Sequence, residues 1–467
     1  MSPPTRSLHT RGSTWRASSG RRRSCCSTNC PAPRPASWCA ATCSRSWRSA
    51  SPEVILAGTV RTLDPVRPLA DGVVLRSGRI AALDVPHGAP GVTALPPGAV
   101  VLPAFEDDHL HLLATAAARR SIDLSAASCL ADVADLLRTA PGDGWIRAWG
   151  IDETDLAEGR LPTTAEVDAW VGGRAAVLHH RTGHDRVVSS AVRGRTAPPL
   201  PADELRDAVV ELDAALLAAG VVAVTDATHT NDAAALDLLG ALPWRVTVRA
   251  MVGADRLAGV TPGELRGRVT VTAAKVMPPT VGLDGVAAAM RASHDAGFAA
   301  AVHAVDVDEV DAALRASAPG DRVEHAGLVL PEQVEALAAA RVTVVTQPAF
   351  VVDRAAKYRG ALSEVERSWL YRVRSLLDAG VPVRASSDAP VVWPDPLRTV
   401  AAAVDRELGV GERVDLATAF GLVCAPLRVG GPGDLVVLDA DPFVVGPRRC
   451  AVLATVRAGV VVAGSLS

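Results

Sequence analysis

Two histidines separated by one residue, His109 and His111 in PAFEDDHLH (103 to 111), are the first place in this chain where side chains could share a chemical task. In extended backbone alternate residues face the same way with Cα atoms about 6.6 Å apart, so the two imidazoles can converge on one cation. Lys275, His303, His325 and Asp388 each stand at the carboxyl end of a later β-type run. Each alone has an ordinary alternative. His303 could be a hydrogen-bonded core histidine, His325 a strand-end polar group beside Glu324, Asp388 a helix N-cap in SSDAP, and Lys275 a rim charge whose stem covers apolar surface. All four in register with His109 and His111 point instead to a divalent metal site. Lys275 carries a further signal, because of 48 basic residues only Lys275 and Lys357 are lysine. Arginine stays protonated, so a lysine retained in such a chain suits chemistry that needs a neutral amine.

The elements that must position these residues are legible as alternating β and α punctuation. Candidate parallel strands are VVLPAF (101 to 106), VVAVTDA (221 to 227), RVTVRAMV (245 to 252), VTVTAAKVM (269 to 277), AAAVHAV (299 to 305), RVEHAGL (322 to 328), VTVVTQP (342 to 348) and VPVRASSDA (381 to 389). Eight strands with amphipathic segments between many of them predict an α/β fold, a (β/α)8 TIM-type barrel, in which reacting groups gather at the carboxyl ends of the strands. The link between the third and fourth strands, GADRLAGVTPGELRG, is a weak helix at best. Short β-rich runs at 54 to 101 and 433 to 463 predict that both chain ends pair into a small β-sandwich domain. The expected division is therefore 52–100 with 431–467 for the sandwich and 101–430 for the barrel. An insertion at about 113–200 is expected to contribute loops over the barrel mouth.

The order His-x-His, Lys, His, His, Asp on the first, fourth, fifth, sixth and eighth strands resembles the amidohydrolase superfamily, in particular the branch that includes N-substituted formamide deformylases. The resemblance runs from about residue 54 to the end. It is carried by PAFEDDHLH, RTGHDRVVSSAV (181 to 192), AVHAVDVDEVDAAL (301 to 314), RVEHAGLVLPEQV (322 to 334), VTQPAF (345 to 350), RSLLDAGVPVRASSDAPV (374 to 391) and GDLVVLDADP (433 to 442). It implies that His109, His111 and Asp388 hold one divalent ion, and that His303 and His325 hold a second or share the first. It further implies that Lys275 bridges as a carbamate. Zinc is the first choice for imidazole and carboxylate ligands, with manganese, iron or nickel as alternatives. Asp388 would be the general base and His184 a contact to the substrate carbonyl or its oxyanion. Gln347, Trp145, Trp149 and Arg374 are secondary pocket candidates, whereas His179, His180 and His294 are not assigned to the site.

The chain departs from the pattern in several places. VMPPTVGLDG passes from Lys275 almost directly into the next helix. Val307 stands where an acidic residue is usual, flanked by Asp306 and Asp308, and Ser189 replaces an asparagine. These differences bear on the substrate more than on metal binding, because none removes a proposed ligand. The implied activity is cleavage of an amide, N-formyl or cyclic amide bond. The alternatives are ester or lactone hydrolysis, deamination, or a barrel that keeps its metal and serves as a binding protein.

Composition excludes other classes. A net charge of -3 and 3% aromatic residues offer no footprint for nucleic acid. From Pro52 on there is no run of about 18 uninterrupted apolar residues, the length needed to span a bilayer. The expectation is a cytoplasmic enzyme with a small-molecule substrate, no nucleic acid or membrane partner, and homo-oligomerisation left open. Five of eight cysteines (Cys25, Cys26, Cys30, Cys39, Cys43) fall in the Ser/Arg-rich first fifty residues, which lack apolar periodicity. Residues 1–51 are therefore expected to be a disordered or non-native extension.

Overall fold

A computed structural model describes residues 54–85, 89–183, 185–192, 194 and 198–466. The 1–51 segment with its five cysteines and His184 lie outside the described residues. Eight strands form a parallel sheet in chain order: β1 (Phe105–Leu110), β2 (Val221–Asp226), β3 (Thr247–Gly253), β4 (Val269–Val276), β5 (Ala300–Ala304), β6 (Arg322–His325), β7 (Thr343–Thr346) and β8 (Val383–Ala385). Each pairs in parallel with the next. The sheet curls until β8 returns beside β1. There the Asp388 amide donates to the His109 carbonyl and the His111 amide to the Ala389 carbonyl, each at 2.8 Å.

The curvature also shows in contacts across the interior. Arg249 on β3 donates to the Glu106 carboxylate on β1 at 2.8 Å, Arg384 on β8 to Asp108 at 2.7 Å, and Arg322 on β6 to the Asp108 carbonyl at 2.9 Å. Buried guanidinium and carboxylate groups are tolerated only when paired, and this ionic layer meets that condition. Outward-facing valines and alanines of the strands pack with Leu212, Leu216, Leu236, Met290, Leu337 and Leu376 of the surrounding helices into the main apolar core. Each fully buried Leu or Val contributes about 1.5–3 kcal/mol of transfer free energy.

Three expectations are adjusted by the described structure. The run VVLPAF serves two sheets. Residues Val100–Pro103 pair with Leu435–Leu438, the Ala104 amide donates to the Asp434 carbonyl, and only from Phe105 does the chain join β2. Barrel strand one therefore lies later than the β-type run suggests and includes His109. Between β3 and β4 there is no helix, only a two-residue strand, Leu265–Arg266, folded back on β4. Residues 122–188 are a folded layer rather than loops alone: a four-stranded sheet of Ile122–Asp123, Ile146–Ile151, Ala176–His180 and Arg186–Val188 with its own core of Leu124, Val133, Leu137, Ile146, Val167 and Leu178.

The chain ends meet in one eight-stranded mixed sheet. Val54–Arg61 and its neighbours from the N-terminal side join Leu435–Leu438, Val452–Arg457 and Val460–Gly464 through Val100–Pro103. Its separate apolar cluster includes Leu56, Val73, Leu75, Ile80, Val437 and Val456. No helix of the described residues is long and apolar enough to cross a membrane.

Candidate metal centre

Five of the strands deliver the predicted residues to one end of the barrel. His109 lies near the end of β1, and His111 caps the helix Leu112–Ala118 that follows. Their rings meet edge to face, with centroids 5.6 Å apart. Both Nε2 atoms approach the same carboxylate oxygen, Asp388 Oδ1, His111 at 3.2 Å and His109 at 3.5 Å. His325 closes β6, with its ring 4.8 Å from that of His109 and 4.5 Å from that of His303 on β5. Lys275 comes from β4. One ligand atom from each of His109, His325 and Asp388 lies within 4.8 Å of the others, a spacing that can hold a metal ion.

Two of these residues occupy unusual backbone. His325 has φ 73° and Asp388 φ 56°, a left-handed conformation uncommon outside glycine. Such conformations persist where the surroundings over-determine them, and they cluster at functional sites. For Asp388 the surrounding constraint is the backbone bond that joins it to His109.

Burial sets the charge states. It pushes the Lys275 amine down to about 8 and the His325 imidazole down to about 3, and it lowers His109 as well. Neutral imidazoles are the form that binds metal. Burial opposes ionisation of Asp388, but His111, His109 and His325 outweigh it and hold the carboxyl below its ordinary value. Lys275 Nζ is buried with no hydrogen-bond partner, and Asp388 Oδ1, despite the nearby imidazoles, accepts no well-formed hydrogen bond. An unsatisfied buried amine and carboxylate oxygen are each costly by about 1–3 kcal/mol or more, unless a further group completes the site. Four imidazoles, a carboxylate and a neutral-prone amine are a donor set that suits a divalent cation.

Three of the imidazoles are held through Nδ1, although His325 Nδ1 also lies 4.0 Å from Asp388 Oδ2. His109 Nδ1 stands 2.5 Å from Glu324 Oε2, His111 Nδ1 is 3.1 Å from Thr228 Oγ1, and His325 Nδ1 is 2.9 Å from Gln347 Oε1. Such outer partners fix ring orientation and raise ligand basicity. Glu324 is itself fully buried. Burial would raise its carboxyl, yet Arg322, His109 and Lys275 keep it well below the ordinary value. Asp226 accepts hydrogen bonds from the Leu112 and Thr228 amides and the Asn231 side chain, anchoring the chain on both sides of His111.

A cavity of about 340 Å³ opens above the centre, lined by all six predicted metal residues and by groups from the layer at 122–188. Period-two alternation explains the latter. Ile146 and Ala148 face that layer's core, so Arg147 and Trp149 face the cavity, as His179 does opposite Leu178. Sequence reasoning had set His179 aside and had not singled out Arg147, Thr228 or His229, which also line the cavity. Of the secondary candidates, Trp149 lines the cavity and Gln347 orients His325. Trp145 instead packs on Ala175, Val177 and Val192, and Arg374 is exposed beside Asp378. His180 is engaged by Glu153 and Thr182, and His294 by Asp321.

Comparison with known proteins agrees with this architecture. The model of a family described as Amidohydrolase family matches residues 97–463. N-substituted formamide deformylase of Arthrobacter pascens is 24% identical over 509 aligned residues, covering 83% of this chain and 93% of its own. YtcJ of Bacillus subtilis (strain 168), provisionally named an amidohydrolase, is 22% identical over 483, covering 81% and 91%. An uncharacterized metal-dependent hydrolase from Pyrococcus furiosus shares the fold with a TM-score of 0.66 at 23% identity, over 84% of this chain and 99% of its own.

Proposed function

Because the chain belongs to the amidohydrolase family, we propose that it is a metal-dependent hydrolase that cleaves a carbon–nitrogen bond in a small amide, N-formyl compound or cyclic amide. The observation that carries this reading is the convergence of His109, His325 and Asp388 beside a buried Lys275 amine with no partner. His109, His111 and Asp388 are the proposed ligands of one divalent ion, with His303 and His325 holding a second or sharing the first. Lys275 is suited to bridge as a carbamate, since its lowered pKa favours the neutral amine that adds carbon dioxide with loss of a proton. When bound, the ion would lower the pKa of water from 15.7 to about 7 and polarise the substrate carbonyl.

The chain's own groups would then divide the proton work. Asp388 takes a proton from the attacking water and delivers it to the leaving nitrogen as the carbon–nitrogen bond breaks, giving a carboxylic acid and an amine. His109 and His111, held by Glu324 and Thr228, turn Nε2 toward Asp388, and Gln347 fixes the His325 ring. Trp149, His179 and Arg147 wall the cavity and limit water access to the bound amide. His184 is proposed, from the family resemblance, as a donor to the substrate oxygen. The resemblance to N-substituted formamide deformylase makes N-formyl amines the first substrates to try.

The test is elemental analysis of purified protein together with turnover of formamides, amides, esters and lactones. One or two divalent ions per chain, zinc first, with amide or formamide turnover abolished by chelation and restored by metal, is the expected result. Protein that takes up no divalent ion from zinc, manganese, iron or nickel and turns over none of these compounds would remove the hydrolase reading.

A further inference from the structure

A second cavity, of about 650 Å³, adjoins the one above the centre. The two share Ala118, Ser121, Trp149, Pro390 and Val391 in their walls. Four arginines, Arg119, Arg181, Arg354 and Arg398, line it against two carboxylates, Asp123 and Asp353. Asp353 is claimed by Arg398, and Arg181 by Asp155. Asp123 accepts from the Ser125 amide. Among the described residues neither Arg119 nor Arg354 forms an ion pair; Arg119 lies over the Trp393 ring at 5.1 Å and Arg354 over the Phe350 ring at 4.8 Å. Arg354 Nη2 is buried with no hydrogen-bond partner.

A guanidinium that is stacked on a ring and lacks an acceptor for a buried N–H is preorganised for a planar oxyanion, which it can meet with two parallel hydrogen bonds. We propose that this arginine-lined cavity receives a carboxylate of the substrate, so that the enzyme acts on amides whose carboxylate stands several bonds from the amide, as in an N-acylated ω-amino acid. The proposal rests on the hydrolase reading above. Trp149 stands in the shared wall, where it can contact the body of a molecule whose amide reaches the centre and whose carboxylate reaches Arg354 and Arg119.

Two measurements on the metal-loaded full-length protein test it. The first is calorimetric binding of an inert carboxylate, 3-phenylpropionate, against the neutral 3-phenylpropan-1-ol. Binding at least tenfold tighter for the carboxylate, with that preference lost in Arg354→Gln and in Arg119→Gln, supports the subsite. The second variant lies on an exposed residue, so it decides the matter should the first fail to fold. An unchanged preference in the folded variants places the carboxylate elsewhere and overturns the proposal, as does no preference at all. The second measurement is turnover of 6-formamidohexanoate against its methyl ester, expected to favour the acid at least tenfold in kcat/KM. Arginine-dependent binding without turnover of any amide leaves the subsite and removes the hydrolase reading. Amide turnover with no advantage for the acid does the reverse.

Discussion

Glu324 and His109 meet in the buried floor of the centre, carboxylate oxygen to ring nitrogen at 2.5 Å. The carboxylate fixes the ring so that Nε2 faces the other candidate ligands. Glu324→Gln keeps the shape and removes the charge, and metal affinity is expected to fall by roughly 10- to 100-fold. Competition with a chelator measures this, and an affinity within twofold of the parent would reduce Glu324 to a partner of Arg322.

Asp388 is expected to separate metal binding from proton transfer. Asp388→Asn retains one ligating oxygen but loses the base, so most of the metal stays while kcat drops by about 10²- to 10⁴-fold. Metal analysis and steady-state kinetics on the same preparation decide it. A variant within tenfold of the parent rate would show that another group takes the proton.

Lys275 gives a pH signature that needs no turnover. Burial lowers its pKa from 10.5 to about 8, so between those values the folded metal-free protein binds fewer protons than the unfolded chain. This contribution to stability therefore rises with pH from about 8 to about 10.5, and below 8 the full cost of the buried charge remains. Lys275→Met should flatten this rise and stabilise the metal-free protein at pH 7 by on the order of a few kcal/mol. Urea denaturation at pH 7, 8.5 and 10 reads both effects, and parallel pH profiles for parent and variant would contradict the assignment. Lys275→Arg, which cannot form a carbamate, should lower metal content.

Trp149 should affect substrate binding more than chemistry. Trp149→Ala removes apolar wall from the cavity, and KM is expected to rise by roughly tenfold, equivalent to about 1.4 kcal/mol, with a smaller change in kcat. Steady-state kinetics on whichever formamide or amide is turned over measures the split. A fall confined to kcat would place Trp149 in positioning the reacting group.

Much of the centre was legible because its residues end β-type runs, and parallel strands put such ends together. Lys275, His303 and His325 could be placed this way from spacing alone. Glu324 could not, since its contact with His109 depends on curvature that brings β6 opposite β1. The roles of Arg147 and His179 required knowing that residues 122–188 build a sheet, after which alternation with Ala148 and Leu178 gives their facing. The start of β1 was misplaced because apolar text is continuous through VVLPAF, whereas hydrogen bonding changes sheets between Ala104 and Phe105. Arg374, a secondary pocket candidate by sequence, turns its side chain to water beside Asp378.

The bonds from Asp388 to His109 and from His111 to Ala389 stitch the first strand of the ring to the last at residues that include three of the proposed ligands. A growing polypeptide on the ribosome thus cannot assemble this centre until the segment around 388 and 389 has emerged. Any fragment stopping short of it should be inert and bind cations weakly. If the centre takes an ion as proposed, its occupancy would report whether the whole barrel has come together.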